Sequence, residues 1–216
     1  MSTASIPSHT SDQASLLRGV TWDEYVRYRD DPANRGLRMT YDSGALEIMT
    51  LSYAHELISL LIHNFITLWQ LQHEIDGQPA GSMTLRSQVL AQGLEGDQTY
   101  YIQRASDVLG RKEIDAEQMP PDLAIEVDHT RASLRKMPIY AKLGVAEVWR
   151  WRNESLTVQR LKNGEYVEIP ESVALFGFPL DLLRAAIARR NDVSQTVLLQ
   201  EFRKSIEQDR GSRPNA

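Results

Sequence analysis

Asp122-Leu123-Ala124-Ile125-Glu126-Val127-Asp128 decides how the rest of the chain is read. The stretch alternates without a break. In an extended chain Leu123, Ile125 and Val127 fall on one side, and Asp122, Ala124, Glu126 and Asp128 on the other. One side suits a core, the other suits chemistry. Same-side neighbours in a strand lie about 6.8 Å apart, so adjacent carboxylates repel by roughly 2 kcal/mol per pair at an effective dielectric near ~20. A divalent cation would offset that repulsion, because hard cations take one or two carboxylates together with water and substrate oxygens. Pairing with nearby Arg or Lys, or plain exposure of an acidic strand, would offset it too.

Downstream, His129-Thr130-Arg131-Ala132-Ser133-Leu134-Arg135-Lys136 is basic where the strand was acidic. Pro138 limits the helix that follows, since an interior proline costs about 3 kcal/mol; the helix is expected to start near Arg135 or to kink there, and Gly144 closes it. Strands are expected at 145–151 and 155–161. The second is joined to 166–169 by Lys162-Asn163-Gly164, and Asn-Gly is the strongest hairpin signal in the chain. Trp149 and Trp151 share a side and read as packing. Helical stretches at about 180–190 and 193–207 follow, then a flexible tail over 208–216.

Upstream, Pro120-Pro121 brings the chain in extended. Residues 105–119 read as a polar loop, with Arg104 and Gly110-Arg111-Lys112 solvating it. Thr99-Tyr100-Tyr101-Ile102 has the composition of a strand, and Asp97 before it is either a turn residue or a ligand. Gly93 and Gly96 mark a turn after a strand at 83–90. The longest helical pattern spans 53–72, with Leu57, Leu60, Leu61, Phe65, Leu68 and Trp69 on its faces. Glu56 sits in its first turn, where a carboxylate also complements the helix dipole. His55-Glu56-Leu57-Ile58-Ser59 lacks the second histidine of a zinc-protease motif, which excludes that reading; His63 and His73 read as ordinary helix-face residues. A hairpin at 37–41 and 45–49 turns at Asp42-Ser43-Gly44 and carries Glu47 in its second strand. Thr21-Trp22-Asp23-Glu24 has the form of a capping box opening a short helix. Residues 1–17 read as a flexible leader, leaving 18–207 as a single domain.

The 216 residues suit one domain with an adequate core, at 42% hydrophobic content. With 24 basic against 29 acidic residues the formal net charge is −5, so the chain as a whole does not advertise nucleic-acid binding. There is no cysteine, hence no disulfide framework or thiolate metal site. No signal peptide and no apolar run long enough to span a bilayer stand out. A soluble cytoplasmic protein with no membrane partner is the expectation.

The candidates form one constellation: an acid leading into a strand (Asp97), two acids in the next (Glu126, Asp128), a helix-borne Glu56, and a cation after the strand, Lys136 or a neighbouring arginine. Two adjacent strands can bring Asp97 and Glu126 to one point, where Mg²⁺ could activate water and neutralise a phosphate. This layout resembles the PD-(D/E)XK, or restriction-endonuclease-like, nucleases. Within them the chain resembles the Uma2 family of predicted endonucleases, through Gly44-Ala45-Leu46-Glu47-Ile48-Met49, Ala54-His55-Glu56, Gly93-Leu94-Glu95-Gly96-Asp97 with Tyr100-Tyr101-Ile102, Pro121 to Asp128, and Ile139 to Trp149. The resemblance implies an α/β (α+β) fold, a central mixed sheet flanked by helices, with an N-terminal hairpin and C-terminal helices. It also implies Mg²⁺ or Mn²⁺ as cofactor and DNA as substrate. Asp97 and Glu126 then take the motif's two acids as metal ligands, Glu56 is auxiliary, and Lys136 assists. Gly96 stands where the superfamily usually has proline. Asp128 stands where it has lysine, so that either a cation comes in from Lys136 or an arginine, or Asp128 is a further metal ligand, or the site is degenerate. The alternative to an endonuclease is thus a nuclease-fold module that binds protein or nucleic acid, with homodimerisation left open; hydrolysis of a small phosphorylated molecule is a third reading.

Overall fold

The structure, a computed structural model, describes residues 11–128 and 133–212, with side chains through residue 208. The chain opens with β1 (Gln13–Arg18) and α1 (Trp22–Asp30). The capping box is realised: Thr21 Oγ1 accepts from the Glu24 N–H, and the Glu24 carboxylate accepts from the Thr21 N–H. β2 (Arg38–Asp42) and β3 (Ala45–Thr50) make the expected hairpin. In α2 (Tyr53–His73) the buried positions are His55, Ile58, Ser59, Leu61, Ile62, Phe65, Ile66 and Trp69, so one side of the helix faces inward; of the residues expected on its faces, Leu57 and Leu68 are half-buried and Leu60 is exposed. β4 (Gln78–Gly81), β5 (Thr84–Ser87), β6 (Gln92–Glu95), β7 (Gln98–Tyr101) and the short α3 (Ala105–Val108) lead to β8 (Leu123–Asp128), the acidic stretch. Then come α4 (Lys136–Lys142), β9 (Glu147–Arg152), β10 (Ser155–Lys162), β11 (Glu165–Ile169), α5 (Leu180–Ala188) and α6 (Gln195–Ser212).

The strands form two sheets. One is antiparallel, in the order β1-β3-β2-β6-β5, and the other is mixed, in the order β11-β10-β9-β8-β7-β4. The mixed character comes from β8 and β9, which run parallel with α4 as their crossover. Alternation along β8 has the expected outcome on one side: Leu123, Ile125 and Val127 join Trp149, Trp151 and the apolar faces of α2, α5 and α6. The other side is not open to solvent. Ala124 and Val148 pack against Ile139 and Tyr140 of α4, so β8 is covered on both faces and Glu126 is 0% exposed.

Several boundaries move. Residues 13–17 were expected within the flexible leader but form, with Arg18, β1, paired with β3 from Gln13↔Thr50 to Arg18↔Ala45. At the other end α6 runs to Ser212, past the expected start of the tail at 208. Ala105–Val108, expected in a loop, is one helical turn. Residues 78–81, between the long helix and the next expected strand, form β4 at the edge of the mixed sheet, where Pro79 costs least because that side of the strand has no neighbour among the described residues. The expected turn at Gly93 is instead inside β6. Its backbone passes Tyr25 so closely that a Cβ at Gly93 would stand 2.4 Å from the Tyr25 hydroxyl. Among the described residues no helix is long and apolar enough to cross a membrane.

Candidate active site

Backbone pairing between β7 and β8 brings the first two acids together. Gln98 pairs with Ile125, and the Asp97 N–H donates to the Ile125 carbonyl at 3.1 Å, so Asp97 comes to lie beside Glu126 at the end of the ladder. The Val127 N–H donates to Asp97 Oδ2 at 2.7 Å and fixes that carboxylate against β8. Lys136 arrives from the first position of α4. Its Nζ makes an ion pair with Glu126 Oε1, and the Tyr140 hydroxyl, one turn further along, donates to Oε2 at 2.8 Å. Lys136 is only 6% exposed and Asp97 3%. Gly96 belongs to this arrangement, because a Cβ there would stand 2.9 Å from the Tyr140 hydroxyl that holds Glu126. The glycine found in place of proline thus leaves room for a partner of the acid.

His55 is the residue sequence reasoning missed. Its Nε2 lies 3.2 Å from Asp97 Oδ2, and its ring is buried. Glu56, expected as the auxiliary acid, is half-buried and makes no hydrogen bond or ion pair with the acids among the described residues. The inward stripe of α2 explains the difference: extended back from Ile62 through Ile58 and Ser59 it reaches position 55, while 56 lies off it. That signal was present in the sequence. Glu47 was seen only as a strand residue. It is buried, and its Oε2 accepts from the Ser133 and Leu134 N–H groups at 2.5 and 3.3 Å, tying the approach to α4 onto β3. His129 and Arg131 lie outside the described residues.

The charges are mutually adjusted. Burial works against the Asp97 carboxylate, but the His55 hydrogen bond, the His55 and Lys136 charges and the Val127 N–H together hold it below the usual carboxylate range. His55 is raised above an ordinary histidine: burial opposes this, and Asp97, Asp12 and Glu126 outweigh it. Glu126 is the softer member of its pair. Burial, helped by the Asp97 and Asp128 charges, pushes it up to about 7 against the pull of Lys136. Burial also disfavours the Lys136 charge, but Glu126 and Asp97 more than compensate and raise it.

Beside the pair opens a cleft of about 530 Å³, lined by Glu126, Asp128, Arg135, Lys136, Arg150 and Arg152 together with Leu134, Met137 and Pro138. Asp128 is engaged by Arg150, whose Nε and Nη2 stand 2.7 and 2.5 Å from Asp128 Oδ2. Asp122, on the same side of the strand, is taken up structurally: it accepts from the Ile102 and Arg104 N–H groups and pairs with Arg104 Nε at 3.0 Å. Among the described residues no group of three or more His, Cys, Asp or Glu is arranged to hold a metal ion. The cluster offers two neighbouring carboxylates, and Asp97 Oδ1 is buried with no hydrogen-bond partner among the described residues. Two hard-oxygen groups are what a protein typically gives Mg²⁺ when water and phosphate fill the remaining positions.

The sequence profile of the Uma2 family, described as "Putative restriction endonuclease", matches residues 22–177. That span contains His55, Asp97, Glu126 and Lys136. No curated protein matches the chain. Among solved structures, the crystal structure of "a putative nuclease belonging to DUF820" from Anabaena variabilis ATCC 29413 is similar with a TM-score of 0.52 at 14% identity, covering 85% of this chain and 99% of that one. At such identity the likeness establishes the fold.

Proposed function

The chain belongs to the Uma2 family, and from that premise we propose that it is a metal-dependent endonuclease that hydrolyses phosphodiester bonds in DNA, using Mg²⁺ held by Asp97 and Glu126. The observation that carries the reading is that these two acids lie side by side at the end of the β7–β8 ladder, with a buried lysine at the wall of a cleft lined by three arginines. A divalent cation held there supplies a polarised water and neutralises phosphate charge. The chain's own residues prepare the place. Val127 N–H and His55 fix the Asp97 carboxylate, and Tyr140 fixes that of Glu126. Lys136 has three donors; Glu126 engages its Nζ, and the cleft beside it gives the ammonium access to a substrate phosphate oxygen. The family's description, "Putative restriction endonuclease", supports DNA as the substrate. The local excess of Lys and Arg in the cleft supports a polyanion despite a chain charge of −5.

Calorimetric titration with Mg²⁺ and Mn²⁺ tests the reading on the wild type, Asp97→Ala and Glu126→Ala. Binding by the wild type and its loss in both variants is the expected result. A folded wild type that binds neither ion at millimolar concentration, with or without duplex DNA present, would leave the nuclease fold acting as an interaction module.

A further inference from the structure

The parallel register sets Arg150 beside Glu126 and Arg152 beside Asp128, on strands about 4.8 Å apart. All four residues face α4, so the shortest pairing for Arg150 would be Glu126. The structure has another. Glu126 is occupied by Lys136 and Tyr140, and the Arg150 guanidinium runs along the sheet to Asp128. Asp128 uses only the Nε/Nη2 edge of that guanidinium, through a single oxygen. No described residue accepts from Nη1, so the outer edge of a planar fork suited to bidentate phosphate contacts is free on the cleft side. The pair is well sheltered, with side chains 25% exposed for Arg150 and 10% for Asp128. Arg135 and Arg152 line the same cleft without an ion-pair partner among the described residues. Its volume of about 530 Å³ falls in the range of small-ligand sites.

Resting on the reading of Glu126 as a metal ligand, we propose that Arg150 grips a backbone phosphate of the substrate and that Asp128 is its positioning residue rather than a third ligand. Asp128 draws the guanidinium off Glu126, which would otherwise carry a second cation beside Lys136, and turns its outer edge into the cleft. Arg135 and Arg152 extend the contact along the backbone. A polyanion therefore binds this cleft through several phosphates, whereas a single small phosphate ester would engage only one.

Two measurements test the assignment. Fluorescence anisotropy of a short labelled duplex DNA without metal ions, across a range of salt, reads the phosphate contact. Arg150→Ala is expected to weaken binding about tenfold and to lower the salt slope by about 1; Arg150→Lys, which keeps the charge but not the fork, is expected to fall between it and the wild type. Mn²⁺ calorimetry reads the role of Asp128. Arg150→Ala keeps wild-type affinity, Asp128→Ala loses affinity as Arg150 turns to Glu126, and the double variant Asp128→Ala/Arg150→Ala regains it. The inference is overturned if Arg150→Ala binds the duplex as the wild type does, if the double variant still binds Mn²⁺ much more weakly than Arg150→Ala, or if the wild type binds no duplex. A wild type that binds duplex but no Mn²⁺ contradicts the metal reading of the site and the positioning role of Asp128, while the anisotropy series still decides the role of Arg150.

Discussion

Glu126 and Glu147 lie on adjacent strands of one sheet, are equally hidden from solvent, and hold opposite kinds of partner. Glu147 faces the tryptophan side. Its Oε1 accepts from Trp149 Nε1 at 2.7 Å and Ser172 Oγ at 2.5 Å, and its Oε2 from the Val173 and Ala174 N–H groups at 2.8 and 3.1 Å. These four neutral donors saturate the carboxylate and fasten the segment before α5 to the sheet. Glu126 faces α4 and is held by a cation and a phenol from that one helix, with Asp97 beside it and open volume alongside. Backbone donors cannot leave Glu147 without undoing the loop, whereas an ammonium on Glu126 can share the carboxylate with another cation. The partners of a buried acid, more than its burial, separate a carboxylate locked into the fold from one that the proposed function can use.

The contrast breaks most visibly at Lys136. Lys136→Met leaves Glu126 buried without a cation and is expected to destabilise the fold by about 3–5 kcal/mol in urea denaturation, with Glu126→Gln/Lys136→Met recovering most of that loss; equal stabilities for the single and double variants would deny the pairing its importance. Glu126→Gln keeps the shape and is expected to lower metal-dependent cleavage by at least about 10²-fold, measured per folded molecule. Glu147→Gln places an N–H where Oε2 accepts from two backbone groups and is expected to cost about 1–3 kcal/mol of stability, with Mn²⁺ affinity unchanged by calorimetry. The smallest effect lies away from both acids. His63, hydrogen-bonded to the Tyr100 hydroxyl at 3.0 Å, is lowered from 6.5 by burial. The unfolded chain then binds the proton more readily, so the stability His63 contributes is present above pH 6.5 and is lost as pH falls through its folded value. His63→Gln should flatten that part of a stability profile taken by thermal unfolding between pH 5 and 7.

Elements written in local patterns were legible. The capping box at Thr21 and Glu24, the alternation of β8 and the Asn163-Gly164 turn stand as read, the turn with φ of 51° and 84° as its type demands; α2 forms where expected, but its inward side runs through Ile58, Ile62 and Ile66 rather than Leu57, Leu60 and Leu68. What was not legible depended on distant partners. β1 is a strand because β3 lies beside it, not because its own sequence alternates strongly, and β6 tolerates Gly93 because Tyr25 occupies the space a side chain would need. At the candidate site, the acids Asp97 and Glu126 and the lysine Lys136 are brought together by the strand order and the crossover helix. The choice of Glu56 over His55 went the other way: helical phase was available and pointed to position 55. The Arg150–Asp128 pair could not be anticipated, since only the parallel register of β8 and β9 sets those residues on neighbouring strands.

The most direct measurement is cleavage of supercoiled plasmid DNA in Mg²⁺ and in Mn²⁺ by the wild type, Glu126→Gln and Glu147→Gln, each confirmed folded by circular dichroism. The account predicts nicked and linear products with the wild type and with Glu147→Gln, and intact plasmid with Glu126→Gln. Plasmid left intact by the wild type under both ions, or cut equally by Glu126→Gln, would contradict it.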